Sequence, residues 1–496
     1  MNITNYFLLS IFYFWASSTA LSFGVGYFTV YRPVIVGFLT GLILGEPYIG
    51  MSAGAIVNII YIDFVSTGGS FRGDQCLTAI IAAFGAILFK LSPVEASAAA
   101  YPIGFLGLLI WKYRLKINSI FVKKYEYRFN EGKNPNISLY DGLFPQLLLY
   151  FMSTAVIIAA IFIMIILKGF IYNIKSALYL VGIFLIFTST WNIIYKIGSK
   201  KSMLIFGAFL LFTLLTNISS YYAFFISVGI IFILSNKKLL ANSSSKTKKN
   251  SIIRKRDLIY SWFIWKNFSH SCYSYERLQG MAYAHSMKNI FKRLFKNKDE
   301  ISKAIYSHSE FFNTEPNMGT PIHGYIISLE ESKIHGENDM NINFLKKGMM
   351  GTAAGLGDSY TQVVLTPLFV SMSVMLSLDN KFIAALIPVV ILAFTILTIS
   401  YTGFMKGYYD GRESLIERIN IIKNSKVKLN FPYIFSGILG ISLGKLIMLD
   451  NLPNNLTIYA TVGIISIVYS VIKIRRSLLI QWKRLELWGG LLIPFI

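Results

Sequence analysis

Thr67–Asp74 reads Thr-Gly-Gly-Ser-Phe-Arg-Gly-Asp, and Gly348–Ser359 reads Gly-Met-Met-Gly-Thr-Ala-Ala-Gly-Leu-Gly-Asp-Ser. Each stretch places one carboxylate in a glycine-rich break within apolar sequence. Lipid cannot form hydrogen bonds with the N–H and C=O groups of backbone that leaves helical geometry at bilayer depth. Such backbone must therefore face protein or a water-filled cavity. Paired glycine-interrupted segments in two halves of a chain are typical of a transporter's substrate site. The sequence therefore predicts a membrane protein whose binding site draws on both halves.

Composition supports this class. Hydrophobic residues make up 54% of the 496 positions and charged residues 14%, too few to cover a soluble chain of this length. Several uncharged runs reach the roughly 20 residues that a helix needs to cross the bilayer: Leu143–Leu167, Met203–Leu234, Ser359–Leu378 and Phe382–Met405. The chain has a net charge of +23, and its basic residues are in the predicted loops. The positive-inside rule explains this placement better than nucleic-acid binding does. We predict an all-α polytopic membrane protein with no nucleic-acid partner.

A basic, serine-containing linker divides the chain. It carries eight Lys and Arg residues before its acidic end at Asp257, which predicts a cytoplasmic location. We therefore expect a membrane domain at residues 1–236, the linker at 237–257 and a second domain at 258–496. Within the second domain, residues 258–347 are amphipathic and residues 348–496 return to the membrane.

Apolar segments of the first domain differ in length. Val34–Ile62 is one such segment, and several others are short or contain Gly and Pro, which predicts re-entrant hairpins. Lys112–Gly142 is polar and is predicted to be a loop. In Ile252–Leu345, apolar residues recur at helical spacing without a run of spanning length. This pattern predicts helices lying in or just under the membrane interface.

The two domains resemble two components of the mannose-family phosphotransferase system. The first resembles enzyme IIC through Tyr31-Arg32-Pro33, Gly41–Glu46, Gly68-Gly69 and Asp74, and the second resembles enzyme IID more strongly through Tyr275–Gln279, Glu310–Thr314, Leu329–Glu331 and Gly348–Ser359. The resemblance implies a sugar permease with both components fused, in a bacterial cell membrane and surrounded by lipid. It also implies two related halves, a homotrimer, an elevator-like movement of the core, and soluble IIA and IIB phosphocarrier partners.

Binding a hexose requires carboxylates and amides in an apolar cleft. The residues predicted to bind the sugar are Asn58, Asp74, Glu276, Asn313, Asp358 and Gln362, and the predicted site loops contain Gly68, Gly69, Gly355 and Gly357. Each carboxylate has an alternative role. Asp74 and Asp358 each precede an apolar run and suit a helix N-cap, and Glu276-Arg277 suits a structural ion pair with another segment.

Phosphoryl-transfer chemistry of the chain's own is not predicted. The five histidines are scattered, His308 is expected on a solvated helix face, and nothing resembles a soluble phosphocarrier domain. No Walker A loop or Rossmann fingerprint is present, and Cys76 and Cys272 are expected to be packing residues. We therefore predict no cofactor, no metal and no phosphoryl-carrying residue, which leaves open whether the chain itself counts as an enzyme.

Several positions depart from the family's pattern. Asn58 stands where Glu or Gln is usual, Thr366 replaces an arginine, and Arg72 adds a charge among small residues. Tyr273 and Ser274 replace the usual Trp and Asn. The leading hypothesis is a subunit that moves a hexose or amino-hexose inward for phosphorylation by a separate IIB partner. The alternative is a diverged membrane assembly of the same fold with receptor or structural duty and no transport.

Overall fold

The structure is a computed structural model that describes residues 3–62, 73–197, 199–216, 218–234, 251–334, 336, 341–449 and 457–472. Across these ranges the chain is helical, and β-structure is limited to isolated bridges between Ser274 and Leu278 and between Leu278 and Phe312. The prediction of an all-α fold is confirmed. Within the same ranges, six helices are long and apolar enough to cross a membrane.

The first domain contains eleven described α-helices: α1 Ile3–Ser17, α2 Pro33–Leu44, α3 Pro47–Ile60, α4 Gln75–Leu88, α5 Pro93–Ile103, α6 Leu108–Asn130, α7 Phe144–Ile166, α8 Lys168–Asn173, α9 Lys175–Ile197, α10 Lys200–Thr216 and α11 Ser220–Leu234. The turn between α5 and α6 is 3₁₀-helical at Gly104–Gly107, and α7 follows a π-helical turn at Ser138–Leu143. Met203–Leu234, predicted as one segment, is therefore divided between α10 and α11.

The described part of the second domain contains ten α-helices: α12 Lys255–Phe268, α13 Gly280–Leu294, α14 Lys298–His308, α15 Thr320–Ile334, α16 Ile342–Gly357, α17 Thr366–Leu378, α18 Phe382–Asp410, α19 Arg412–Lys423, α20 Lys426–Leu449 and α21 Thr457–Ile472. A large hydrophobic core joins α1–α5, α7 and α9 to α17, α18 and α20, so the two domains share it. A second core packs α12–α15 against α6.

Val34–Ile62 forms a helical hairpin of α2 and α3 instead of one segment. The chain reverses at Gly45, whose φ of 89° lies in the left-handed region that glycine adopts without strain. The two helices touch through glycines: a Cβ on Gly54 would lie 2.1 Å from the Pro33 carbonyl oxygen, and one on Gly37 would lie 2.2 Å from the Gly50 oxygen. With 12 and 14 residues, each helix is shorter than the roughly 20 needed to span a bilayer. Re-entrant geometry stays a prediction.

Lys112–Gly142 is not a loop, and that prediction is wrong. Most of it belongs to α6, whose buried face packs against residues 269–279 of the second domain. Arg114 donates to the carbonyl oxygens of His270 and Ser271 at 2.6 and 2.8 Å, and Asn118 donates to that of Tyr273 at 2.9 Å. We call α6 together with residues 269–279 the clasp. The stretch looks like a solvated loop in sequence because its exposed lysines and its buried Arg114 and Asn118, which bind another segment, are all polar.

The alternative role of Glu276-Arg277 is seen at the far end of the clasp. Arg277 forms an ion pair with Glu126 of α6 and also bonds Ser309. Glu276 is exposed and accepts a hydrogen bond from Ser119 of α6 at 2.5 Å. Both side chains therefore join the two domains.

The glycine-rich stretch Gly348–Ser359 remains helical. α16 continues into a π-helical turn at Asp358–Leu365, which continues into α17, so the predicted break is a local widening of one long helix. Extra residues in a π-turn redirect the side chains that follow, and such turns are frequent at functional sites. The capping role considered for Asp358 is wrong, because its backbone is helical on both sides.

Helices α12–α15 contain between 11 and 15 residues each, too short to be candidate spans. His308 is buried there at 2% exposure, and its Nε2 lies 2.8 Å from Glu330 Oε1. The expectation of a solvated His308 is wrong because its ring packs against Tyr283 and Phe291 of α13. Cys76 and Cys272 are both buried free thiols, as expected of packing residues.

Candidate functional site

A cavity of about 130 Å³ lies between the two domains. The first domain contributes the end of α1, the turn that follows it and the start of α6, and the second contributes residues 269–279, the loop at 313–317 and the α16 π-turn. Its polar or aromatic lining residues include Tyr27, Tyr31, Trp111, Arg114, His270, Tyr273, Gln279, Asn313, Glu315, Asn317, Asp358 and Gln362. Amides and carboxylates between aromatic walls form a lining suited to a polyhydroxy ligand.

One wall is the loop from Asn313 to Asn317. Glu315 accepts from the backbone N–H groups of Asn317 and Met318 at 3.0 and 2.6 Å and from Asn317 Nδ2 at 2.6 Å. Lys266 donates to Asn317 Oδ1 and to the Gly24 carbonyl oxygen of the first domain. Burial lowers the pKa of Lys266 to about 8, although Glu315 opposes the shift. The loop is thus held rigidly against both domains.

A second wall, in contact with this loop, is the π-turn. Gln362 Nε2 donates to Asp358 Oδ1 at 3.2 Å, so the two predicted residues form one polar pair facing the cavity. Gly357 permits this wall to approach the loop: a Cβ there would lie 2.4 Å from Glu315 Cβ. Gly355 is exposed, and a Cβ on it would meet no described atom within 4 Å.

Aromatic residues after α1 close another side. Tyr27 and Tyr31 stack with ring centroids 5.7 Å apart, and the Arg32 guanidinium lies 4.6 Å from the Tyr27 ring centroid. Tyr31 also donates to Asp74 Oδ1 at 3.0 Å. Asp74 itself lies behind this wall, buried as the N-cap of α4, where it accepts from the Leu77 N–H at 2.9 Å. Its contact with the cavity is therefore indirect, through Tyr31.

A second, smaller cavity of about 30 Å³ adjoins the first. Tyr27 and Gln362 line both cavities. The other residues lining the small cavity are Arg32, Asn58, Tyr61, Ile62, Gln75, Thr366, Pro367 and Val370. Gln362 thus stands between the two spaces.

The structure brings most, but not all, of the predicted site residues together. Asn313, Asp358 and Gln362 line the large cavity, and Asn58 lines the small one. Neither lining includes Asp74 or Glu276. The predicted site glycines Gly68 and Gly69, and the extra charge Arg72, lie outside the described residues.

Sequence reasoning missed several lining residues. Glu315 and Asn317 directly continue the Glu310–Thr314 motif, and a buried Glu-Pro-Asn turn after a family motif was an available signal. Arg114 was assigned to a loop. The tyrosines Tyr27 and Tyr31 carried no signal of their own, because aromatic residues in apolar sequence are more often packing residues.

Acid should destabilise the second domain through His323. This side chain is 1% exposed, and burial lowers its pKa from 6.5 to about 3. Between about pH 6.5 and 3, His323 binds a proton in the unfolded chain but not in the folded chain. The free energy of unfolding therefore falls as the pH is lowered through this range. We expect His323→Gln to reduce the loss by about 1.4 kcal/mol per pH unit between about pH 6 and 4. Melting temperatures in detergent across this range measure the slope, and equal slopes for both proteins would contradict the assignment.

Comparison with known proteins gives matches to two related families. The PTS system sorbose-specific IIC component family matches residues 3–232, and the PTS system mannose/fructose/sorbose family IID component family matches residues 252–441. The sorbose-specific EIID component of Lacticaseibacillus casei is 30% identical over 33% of this chain and 58% of its own length. The mannose-specific EIID component of Escherichia coli K12 is 31% identical over 30% of this chain and 54% of its own length.

Further relatives are similar. The fructose permease IID component of Bacillus subtilis 168 is 31% identical over 32% of this chain and 58% of its own length. The solved structure of the mannose transporter ManYZ with microcin E492 is 25% identical, covers 40% of this chain and 69% of its own, and has a TM-score of 0.31. The chain spans a little more than half the length of the curated relatives it matches.

The two matched regions are separated by residues 233–251, which include most of the basic linker, and six described helices can cross a membrane. The predicted fusion of a IIC-like and a IID-like component is confirmed. The chain is a multi-pass protein of the bacterial plasma membrane. It belongs to the mannose/fructose/sorbose family of the phosphotransferase system, and it carries the IIC and IID components in one polypeptide.

Proposed function

We propose that the chain is the sugar-translocating subunit of a phosphotransferase system. It binds a hexose or amino-hexose in the large cavity, moves it inward, and presents it to a soluble IIB-type partner, itself supplied with phosphate by a IIA-type partner. The single observation that carries the proposal is a polar cavity assembled from both components of a sugar-transport family. The curated relatives are named for sorbose, mannose and fructose, which supports a hexose as ligand.

The size of the cavity agrees with this substrate class. A volume of about 130 Å³ corresponds to about ten water-sized spheres, since about 10–15 Å³ accommodates one. One hexose has about as many heavy atoms. The small cavity accommodates about two such spheres, so the sugar ring belongs in the large one.

Residue roles follow from the positions of the side chains. Asn313, Asp358 and Gln362 would bind hydroxyls directly, with Asn317 beside them and Glu315 holding the loop. Asp74 would act by positioning Tyr31, with which it is hydrogen-bonded. Glu276 bonds α6 in the clasp, so its predicted sugar contact would require a different arrangement from the one described.

The assembly is also part of the proposal. The family resemblance supports a homotrimer in lipid with an elevator-like movement of the core. The core shared by the two domains supports one moving unit made from both, since α2–α4 and α17 pack together within it. Linker residues 237–257 would lie in the cytoplasm because of their charge.

Inverted membrane vesicles test the function. Sugar phosphorylation should require a phosphorylated IIB-type partner, and neither ATP nor an ion gradient should replace it. Asp358→Asn should lower the activity by about tenfold or more, because a hydrogen bond to a charged group contributes about 1.5–3 kcal/mol. Glu300→Gln, which neutralises an exposed acid in the first turn of α14, is the matched control and should leave activity unchanged.

Two outcomes would reject the proposal. Sugar uptake driven by an ion gradient alone would indicate a different transport class. No sugar phosphorylation with the soluble phosphocarrier proteins of the same bacterium would favour an assembly without transport. Equal activity of Asp358→Asn and the parent protein would move the site away from the π-turn.

A further inference from the structure

The small cavity contains polar atoms that the described protein leaves without partners. Three of its lining residues each carry one such buried atom: Arg32 Nε, Asn58 Oδ1 and Gln362 Oε1. Asn58 as a whole is 6% exposed. Buried polar groups are nearly always hydrogen-bonded, and an unpaired one costs about 1–3 kcal/mol. Three at one place indicate that something polar occupies the space.

Other hydroxyls lining this cavity already have partners. Tyr61 is hydrogen-bonded to Thr78 at 3.0 Å, and Thr366 donates to the Thr361 carbonyl oxygen at 2.6 Å. The unmet demand is therefore for two donors, one to each amide oxygen, and one acceptor for the arginine N–H. Thr366, which replaces an arginine of the family pattern, does not meet it.

Two neighbouring hydroxyl groups meet this demand. Their two protons can be donated to Asn58 Oδ1 and Gln362 Oε1, and a lone pair of either oxygen can accept from Arg32 Nε. A carboxylate would bring no proton and a phosphate ester at most one, which is too few for two amide oxygens, and an ammonium would be repelled by Arg32. The volume of about 30 Å³ is too small for a sugar ring and admits a small polar group with one or two oxygens. Number, polarity and size agree on a neutral diol.

Gln362 connects this space to the large cavity. Its Nε2 is bonded to Asp358 in the large cavity, while its Oε1 is the unpaired atom of a residue that also lines the small one. Tyr27 lines both spaces from the other side, and its ring is held by Tyr31 and Arg32. A sugar ring that lies beside Tyr27 in the large cavity can therefore extend one edge past the Gln362 amide into the small cavity.

We propose that the small cavity is a diol subsite of the sugar site. The hexose ring occupies the large cavity, and two adjacent hydroxyls on one edge enter the small cavity to bond Asn58, Gln362 and Arg32. The inference rests on the proposed function and identifies the hydroxyls of the sugar that the site recognises. A sugar carrying a charged group at either of those two positions is rejected.

Calorimetry on the purified full chain in detergent tests the subsite. Mannose, fructose, sorbose and glucosamine are titrated first, and then every monodeoxy analogue of the tightest binder. We expect two adjacent positions at which loss of the hydroxyl weakens binding by about tenfold or more. Asn58→Leu should remove the penalty at one of these positions, and Gln362→Met should remove it at the other.

Asn313→Leu is the matched control, since Asn313 lines only the large cavity. This substitution should weaken binding of the parent sugar and of the two deoxy analogues by the same factor, because groups that are not coupled have additive effects on the binding free energy. If Asn58→Leu does not fold, judged by its melting temperature, Gln362→Met carries the same test at the adjacent hydroxyl.

The outcomes separate this inference from the proposed function. The diol subsite would be overturned if the loss of affinity on removing a hydroxyl were the same in both variants as in the parent protein, or if the sensitive hydroxyls were not adjacent. Phosphorylation in vesicles would in that case still support the permease function. Binding of none of the four sugars, together with no phosphorylation in vesicles, would overturn both.

Discussion

Asp74→Ala should cost about 3 kcal/mol or more of folding free energy, since each buried hydrogen-bond donor left without a partner costs about 1–3 kcal/mol. The Asp74 carboxylate accepts from Tyr13 at 2.6 Å, from Tyr31 at 3.0 Å and from the Leu77 N–H at 2.9 Å. Alanine leaves all three buried donors without an acceptor. The measurement is the melting temperature of the purified protein in detergent, together with its yield from membranes.

Asn341→Ala separates capping from the tyrosine contacts. Asn341 is the N-cap of α16, accepts from the Phe344 N–H at 3.1 Å and is exposed, so its loss should cost about 1 kcal/mol. In the Asp74→Ala background, Tyr13→Phe should add little further loss, because its hydroxyl has already lost that acceptor. If the two alanine variants were equally stable, the Asp74–tyrosine contacts would contribute nothing.

Gly54→Ala should disrupt the α2–α3 hairpin. The new Cβ would lie 2.1 Å from the Pro33 carbonyl oxygen and 3.1 Å from Gly37 Cα, and both neighbours are backbone that cannot turn aside. We expect a loss of about 1–3 kcal/mol or more, the cost of overpacking in a core. Melting temperature measures it, and the α3 shift should also weaken sugar binding because Asn58 lies one turn further along α3.

Gly207→Ala is the matched control. Gly207 is also a helical glycine, in α10, but a Cβ there meets no described atom within 4 Å. Alanine favours helix over glycine by up to about 1 kcal/mol, so this variant should be neutral or slightly stabilising. Equal loss in both variants would show that the contact with Pro33 is not what limits the hairpin.

Much of the fold could be predicted from composition and run length. Apolar runs such as Phe382–Met405 fix the membrane class, because few other sequences carry more than 20 uncharged residues. Small residues spaced along α20 also favour close helix packing, and a Cβ on Gly440 would lie 2.5 Å from the Phe206 carbonyl oxygen. In these cases a local property of the sequence determines the structure.

Where a partner segment determines the structure, prediction failed. The face of α6 that carries Arg114 and Asn118 looks solvated until residues 269–279 are placed against it. The π-turn at Asp358–Leu365 has glycines before it that suggest a break, yet the helix continues through it, with Gly357 packed against Glu315.

The candidate site shows the same division. Asn313, Asp358 and Gln362 could be singled out because polar groups stand out in apolar sequence or in family motifs. Tyr27 and Tyr31 could not, because their role depends on which elements meet across the cavity. The placement of Asp74 one layer behind the wall likewise depends on the orientation of Tyr31, which no local pattern specifies.

The clasp has a consequence for how the two components stay together. In one polypeptide its two sides are always produced in equal number and meet at the effective concentration set by a short tether, on the order of millimolar. Contacts such as Arg114 with the His270 carbonyl oxygen then need only fix orientation, since an interface of millimolar affinity would already be about half closed. Fusion thus replaces a requirement for tight subunit affinity with one for correct geometry, and single substitutions in the clasp become tolerable that would separate two independent subunits.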